Sequence, residues 1–96
     1  MRERKQKMED LADGFIVVPG GIGTLEEFFE IFTLRQLDRH NKPIAILNTR
    51  GYYDQMIAFL RHMVEEGFMG SHCLDLFAVF DDAEELITYM KETLEV

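Results

Sequence analysis

One segment constrains the fold of this chain more than any other, because it lies between an apolar run and an amphipathic run. Residues 15–18, Phe-Ile-Val-Val, form a continuous hydrophobic tract of strand length, and residues 25–39 carry apolar side chains at helical spacing. Between them stand Pro19-Gly20-Gly21-Ile22-Gly23-Thr24. The pattern predicts a strand, a glycine loop and a helix.

The predicted loop has the composition of an anion-binding site. A helix that follows such a loop directs backbone N–H groups and the positive end of its dipole towards whatever lies above the loop. Gly20, Gly21 and Gly23 have no β-carbon, so a ligand can approach the backbone closely. Glu26 and Glu27 are expected in the first helical turn, where the dipole also favours negative charge. A phosphate group is the expected occupant.

Two familiar phosphate-binding motifs do not fit this loop. A Walker loop ends in Gly-Lys-Ser/Thr, whereas Gly23 is followed by Thr24 and Leu25. A dinucleotide-binding fingerprint would place glycine at the position of Glu26. A glycine turn that merely connects a strand to a helix is the alternative. The Pro-Gly-Gly opening and the paired glutamates favour a more specific role.

Composition and charge exclude several classes of protein. The 96 residues suffice for one small domain, and 47% apolar with 29% charged residues is ordinary globular composition. The net charge of −8 argues against nucleic acids and anionic membranes as partners. Cys73 is the only cysteine, so no disulfide framework or cysteine zinc site is expected, and a cytoplasmic location fits best. His40 has no second ligand at metal spacing, and no apolar stretch approaches the roughly 18 residues of a membrane span.

The first 13 residues are predicted to form a helix. A helical wheel places Arg4 and Lys5 on the same face as Met1, Met8 and Leu11. Two interpretations are open. The cationic side chains cover apolar surface and extend their charged ends to water, or the helix delivers two cations into a cleft.

The remaining segments complete an α-β-α-β-α-β-α order. Strands are predicted at 44–47 and 76–80, a helix over 53–64 ends at Gly67, and Asp82 with Glu85 forms a capping box for a last helix. Continuous strand hydrophobicity predicts a parallel sheet with helices on both faces. A sheet of three strands leaves an edge exposed, so further strands or association are expected to cover it.

Glu27 has two interpretations in this scheme. The predicted helix over 25–39 carries two stripes, the first being Leu25, Phe28, Phe29, Phe32 and Gln36, and the second Glu27, Ile31 and Leu34. Glu27 is therefore a carboxylate on a partly apolar face. It either caps the start of its own helix or has a functional role.

Several motifs together resemble one known family. They are Met1-x-x-Arg4-Lys5-x-x-Met8, Asp13-x-Phe15-Ile16, Pro19-Gly20-Gly21-x-Gly23-Thr24-Leu25-Glu26-Glu27, Thr33, Gln36-Leu37, His40-x-Lys42-Pro43, Leu47-Asn48, Gly51-Tyr52-Tyr53 and Glu66-Gly67-Phe68. The chain resembles the LOG family, the cytokinin riboside 5′-monophosphate phosphoribohydrolases. The matches run through most of the chain.

The resemblance implies a fold, an activity and a partner. It implies a Rossmann-like α/β domain, usually a homodimer. The reaction would be hydrolysis of the N-glycosidic bond of a nucleoside 5′-monophosphate, either a cytokinin riboside 5′-monophosphate or AMP, to free base and ribose 5-phosphate. No cofactor is implied. Members have often carried a lysine decarboxylase label, but that chemistry normally needs pyridoxal phosphate on a lysine, and no lysine stands in a matching site.

The resemblance also implies the site residues. Arg4 and Glu27 would be the catalytic pair. The residues that would bind the phosphate and ribose are Lys5, Gly20, Gly21, Ile22, Gly23, Thr24, Leu25, Glu26 and Thr33. A carboxylate beside the ribose can stabilise the positive charge that develops there and can orient water. Arg4 would bind the ligand's anionic group or assist the departing base.

The chain departs from the family pattern at two positions and in length. Leu34 stands where tryptophan is usual, and Asp38 stands where glycine is frequent. Residues 1–96 would form one partial domain, the C-terminal half of the family's domain, with one wall of the site supplied by the other half. The alternative function is a non-catalytic nucleotide-binding or assembly module.

Overall fold

The computed structural model describes residues 13–94, so most of the predicted N-terminal helix, including Arg4 and Lys5, lies outside the described residues. The strands are β1 (Phe15–Val17), β2 (Ile44–Leu47) and β3 (Ala78–Phe80). The helices are α1 (Ile22–Gln36), α2 (Asp54–Glu65) and α3 (Ala83–Leu94). Short 3₁₀ turns at Thr49–Gly51 and Ser71–Asp75 flank α2. No helix within residues 13–94 is long and apolar enough to cross a bilayer.

The three strands form one parallel sheet in the order β1-β2-β3. Ile16 pairs with Ala45, and Ile46 pairs with Val79. The central strand is buried on both faces, which explains its uninterrupted hydrophobic sequence. The predicted α/β class with a parallel sheet is therefore confirmed.

Helices cover both faces of the sheet, as the sequence predicts. One face carries α1 and α2, whose buried side chains pack with those of the strands in a core of Val17, Phe28, Ile31, Phe32, Ile44, Ile46, Tyr53, Ile57, Leu60 and Cys73. The other face carries α3, which buries Leu86 and Met90 against Ala45. Since the strand order never reverses, right-handed crossovers place α1 and α2 on the same face. Among the helices of residues 13–94, only the one after the last strand covers the opposite face.

Helix α1 begins and ends about three residues earlier than the predicted span of 25–39. Gly21 is its N-cap residue, so Ile22, Gly23 and Thr24 belong to the helix rather than to a loop. At the other end Asp38 adopts a left-handed backbone with φ of 60°. The Arg39 N–H donates to Leu34 O at 2.8 Å, and the Asp38 N–H donates to Arg35 O at 3.0 Å. These are the two bonds of a Schellman motif.

The ends of α2 and α3 follow the predicted signals. Gly67 has φ of +82°, the Gly67 N–H donates to Val64 O, and the Phe68 N–H donates to Met63 O, which again is a Schellman motif. Asp82 Oδ1 accepts the Glu84 N–H at 3.2 Å, so Asp82 caps α3. Both helix boundaries are therefore set by the residues that the sequence singled out.

Three details differ from the prediction. Strand β3 begins at Ala78 instead of residue 76, because the preceding 3₁₀ turn continues into a helical backbone at Leu76. Phe29, on the first predicted stripe of α1, and Ile87, on the apolar stripe that the sequence predicts for the last helix, are both partly exposed. Each lies about 100° around its helix from the fully buried residue that precedes it, so it stands at the margin of the buried stripe and remains partly in solvent.

Candidate functional site

The candidate site lies at the carboxyl end of the sheet, where β1 turns into α1. Residues 18–21, here called the β1–α1 loop, join the strand to the helix. In an open parallel sheet, ligands bind outside the carboxyl ends of the strands. The loop and the start of α1 are exposed there, and the Ile22 side chain is 81% exposed. The surface is therefore open to a ligand.

The start of α1 presents backbone N–H groups that lie outside the helical hydrogen-bond pattern of the described residues. The first helical hydrogen bond runs from the Leu25 N–H to Gly21 O at 3.2 Å. The N–H groups of Ile22, Gly23 and Thr24 precede that bond, as in the first turn of any helix. Among the described residues no side chain caps this end. These N–H groups, together with the helix dipole, suit an anion.

The three glycines of this segment differ in whether the surrounding structure requires a glycine at their position. A β-carbon on Gly20 would overlap the Thr24 hydroxyl, so glycine at this position lets the Thr24 side chain fold back on the loop. A β-carbon on Gly21 or on Gly23 would meet no described atom within 4 Å. Neither of these two has a positive φ. Packing and backbone conformation within the described residues thus do not require glycine at 21 or 23, although glycine in a helix lowers its stability.

Two adjacent tyrosines, here called the tyrosine pair, hold the β1–α1 loop from the side of α2. The Tyr52 hydroxyl donates to Gly20 O at 2.5 Å, and the Tyr53 hydroxyl donates to Val18 O at 2.6 Å. The two rings meet edge to face with centroids 4.9 Å apart. Tyr53 is 3% exposed and Tyr52 is 57% exposed. The loop is therefore attached to the neighbouring β2–α2 connection by two side chains.

Asn48 links the tyrosine pair to the sheet. This buried residue follows β2, and its Oδ1 accepts the Tyr53 N–H at 2.6 Å. Its Nδ2 donates to Asp54 Oδ1 at 2.8 Å, and its own N–H donates to Phe80 O at 2.7 Å. The carboxyl ends of all three strands are thereby joined in one hydrogen-bond network.

The protonation of Tyr53 suits its role as a donor. Burial raises the pKa of the Tyr53 hydroxyl above its ordinary value of 10.0, and neighbouring Tyr52 raises it further, while a hydrogen bond with the Gly20 backbone lowers it. The raised pKa keeps the hydroxyl protonated at neutral pH. It can therefore always donate to the Val18 carbonyl.

The paired carboxylates do not lie in the first turn of the helix, contrary to the prediction. Because α1 begins at Ile22, Glu26 and Glu27 fall in its second turn. Glu27 therefore cannot cap the start of its own helix, where Gly21 stands, and this interpretation is wrong. Both side chains are exposed, so Glu27 is not on a buried apolar face either. The two residues follow Ile22 and Gly23 by about one helical turn.

The other predicted site residues are placed less directly by the described structure. Leu25 packs against the core with its side chain, and its N–H is bonded to Gly21 O. Thr33 is exposed on the same stripe of α1 as Glu26, but roughly 10 Å further along the helix axis. Arg4 and Lys5 lie outside the described residues. The roles of all four remain predictions.

Sequence reasoning missed the residues that hold the loop. The apolar spacing of the helix over 53–64 predicts Tyr53 as a core residue with a purely structural role. Asn48 and Tyr52 entered only as parts of the family resemblance. One signal could have found all three, because they lie in the connection that follows β2, and the carboxyl ends of neighbouring parallel strands meet at one edge of a sheet.

Comparisons with known proteins agree with the motifs. A family model described as "Possible lysine decarboxylase" matches residues 1–90. A probable cytokinin riboside 5′-monophosphate phosphoribohydrolase of Oryza sativa subsp. japonica is 45% identical over 92 residues, which cover 96% of this chain and 40% of the relative. A cytokinin riboside 5′-monophosphate phosphoribohydrolase of Arabidopsis thaliana is 40% identical over 92 residues, or 96% of this chain and 43% of the relative.

The chain belongs to the LOG family. It spans about two fifths of the length of these curated relatives. Within this LOG-family chain, the glycine-rich segment, both glutamates and the tyrosine pair all fall inside the matched residues 1–90. The aligned region thus contains the whole of the candidate site described above.

Proposed function

We propose that this chain carries the phosphate-binding and catalytic elements of a phosphoribohydrolase. The substrate would be a nucleoside 5′-monophosphate, either AMP or a cytokinin riboside 5′-monophosphate. Hydrolysis of its N-glycosidic bond would give the free base and ribose 5-phosphate. Membership of the LOG family supports this reaction class, since the curated relatives are named as such hydrolases.

The observation that carries the proposal is the space that the described residues leave at two glycines, beside backbone N–H groups that precede the first helical hydrogen bond. Gly21 and Gly23 face no described atom within 4 Å, and the N–H groups of Ile22, Gly23 and Thr24 precede the first helical bond. Glycine here is explained if a phosphate oxygen takes the space that a β-carbon would fill. A phosphate at this helix N-terminus also gains from the dipole.

In this proposal Glu27 would act on the ribose while the loop holds the phosphate. Departure of the base leaves positive charge at the anomeric carbon, which a carboxylate stabilises. The same carboxylate orients the attacking water and accepts its proton. Arg4 would bind an anionic group of the ligand or assist the departing base, and Lys5 and Glu26 would line the site. Exposure of Glu27 beside the helix start is consistent with access to substrate.

Lysine decarboxylation is not favoured by the described lysines. Pyridoxal phosphate chemistry would need a lysine that can reach the phosphate-binding loop. Lys42 precedes β2 and so lies at the amino edge of the sheet, opposite the loop. Lys91 lies on α3, on the far face from α1 and α2. Neither lysine fits that cofactor in this chain.

A nucleotide-binding module without turnover is the second candidate. The coverage of only about two fifths of the relatives' length favours it, because residues beyond the aligned region could complete the relatives' sites. A homodimer would be one way to cover the exposed edge of β1, where Ile16 and Val18 are half-exposed.

We also propose a cytoplasmic location.

The decisive experiment is to incubate the purified chain with AMP and with a cytokinin riboside 5′-monophosphate, and to measure free base by chromatography. Wild type should release base, and Glu27→Gln should release at least tenfold less while retaining the same far-ultraviolet circular dichroism. Thermal stabilisation by AMP without any base release would instead support the binding module. Both functions are contradicted if the folded chain releases no base and is not stabilised by AMP.

A further inference from the structure

Tyr52 holds a peptide unit that would otherwise be unusually free to rotate. The carbonyl that it binds belongs to the peptide between Gly20 and Gly21. Glycines on both sides of a peptide bond allow its plane to flip, because neither has a β-carbon to restrict φ and ψ. The Tyr52 bond to Gly20 O therefore selects one orientation of this Gly-Gly peptide.

The orientation matters because the same peptide carries the Gly21 N–H. The described peptide bonds are all trans, so the N–H and the C=O of one unit point in opposite directions. With the carbonyl held towards Tyr52, the Gly21 N–H points away from it. This donor directly precedes the free N–H groups of Ile22 and Gly23. A flipped peptide would instead turn a carbonyl dipole towards the anion.

We propose that Tyr52 is a positioning residue for phosphate binding: its hydroxyl fixes the Gly20–Gly21 peptide so that the Gly21 N–H joins the donors at the start of α1. Tyr53 holds the first residue of the same loop, because its hydroxyl donates to Val18 O, and the Tyr53 N–H in turn donates to Asn48 Oδ1. Asn48 and Tyr53 are buried at the end of the sheet, whereas Tyr52 is exposed where it contacts the loop. This inference rests on the proposed function, because it concerns the same phosphate.

The test replaces one hydroxyl and follows both the loop and the ligand. Tyr52→Phe removes the donor and keeps the ring, and Tyr89→Phe is the matched control, since Tyr89 packs against Phe80 on the other face of the sheet. Nuclear magnetic resonance relaxation dispersion of unliganded protein should show microsecond-to-millisecond exchange at Gly20 and Gly21 in Tyr52→Phe only. Absence of new exchange there would overturn the proposed restraint.

Ligand titrations then separate positioning from general structural damage. Tyr52→Phe should weaken AMP and inorganic phosphate by about two- to tenfold, as expected for one lost hydrogen bond. Adenosine, which lacks the phosphate, should bind equally to wild type and variant. Equal AMP affinity in Tyr52→Phe and wild type would overturn this inference alone. Absence of AMP binding in folded wild type would contradict the proposed function, while the dispersion experiment would still test the restraint.

Discussion

Replacement of Gly23 by alanine separates ligand binding from stability. Gly23 lies in the first turn of α1 without a positive φ, and a β-carbon there meets no described atom within 4 Å. The added methyl group therefore has room, and alanine has the higher helix propensity. Gly23→Ala is expected to stabilise the folded chain and to weaken phosphate binding.

The expected size follows from helix propensity. Glycine in a helix interior is less stable than alanine by about 0.5–1 kcal/mol. A change of 1 kcal/mol moves the melting temperature by roughly 4–8 °C in a domain of this size. The added methyl group would occupy space that we assign to the ligand, and overpacking costs about 1–3 kcal/mol. AMP affinity should therefore fall by about five- to 150-fold.

The assay combines urea unfolding with AMP titration of the same samples. Gly67→Ala is the matched control, because a β-carbon there also meets no described atom within 4 Å, yet φ is +82°. Alanine at that position should destabilise by about 1–2 kcal/mol and leave the AMP affinity unchanged. If Gly23→Ala is stabilised but binds AMP with unchanged affinity, the ligand does not occupy the space beside Gly23. If Gly23→Ala is less stable than wild type, the conclusion that Gly23 has a helical backbone with room for a β-carbon is refuted.

Three further predictions concern the loop supports and the helix ends. Asp38→Gly should raise the unfolding free energy by about 0.5–1 kcal/mol in urea titrations, because Asp38 has φ of 60°; unchanged or lower stability would contradict this. Asn48→Ala should lower it by about 1–3 kcal/mol, because the buried Tyr53 N–H loses its acceptor, and a loss no larger than that of an exposed control such as Gln55→Ala would contradict this. The raised pKa of Tyr53 contributes stability that is fully present below pH 10.0 and is lost as pH rises through the folded pKa. The unfolding free energy of wild type should therefore fall more steeply above pH 10.0 than that of Tyr53→Phe, by at most about 1.4 kcal/mol per pH unit. Parallel profiles of the two proteins would contradict this.

The parts of the fold set by local patterns were predictable from the sequence. The uninterrupted apolar run of β2 predicted a buried parallel strand, and Gly67 and Asp82 marked helix ends where the structure has them. The start of α1 was predicted three residues late, because glycines at 21 and 23 resemble a loop while the backbone from Ile22 is helical. Helix propensity alone could not place that boundary, since tertiary contacts override it.

The candidate site was predictable only in part. The glycine-rich segment was identified from its own composition, but the tyrosine pair is more than 30 residues away in sequence. Contacts between the ends of neighbouring strands depend on the sheet order, which no local pattern contains. Glu27 is exposed because α1 buries one stripe of Phe28, Ile31 and Phe32, and Glu27 lies beside that stripe.

The central claim is that the start of α1 binds the phosphate of a nucleoside 5′-monophosphate. The most direct test is a titration of ¹⁵N-labelled protein with AMP, followed by amide chemical shifts. The account predicts the largest shifts at the amides of Gly21, Ile22, Gly23 and Thr24, with inorganic phosphate moving the same signals. Saturable binding of AMP whose largest shifts lie elsewhere, or no shift at these four amides, would contradict it.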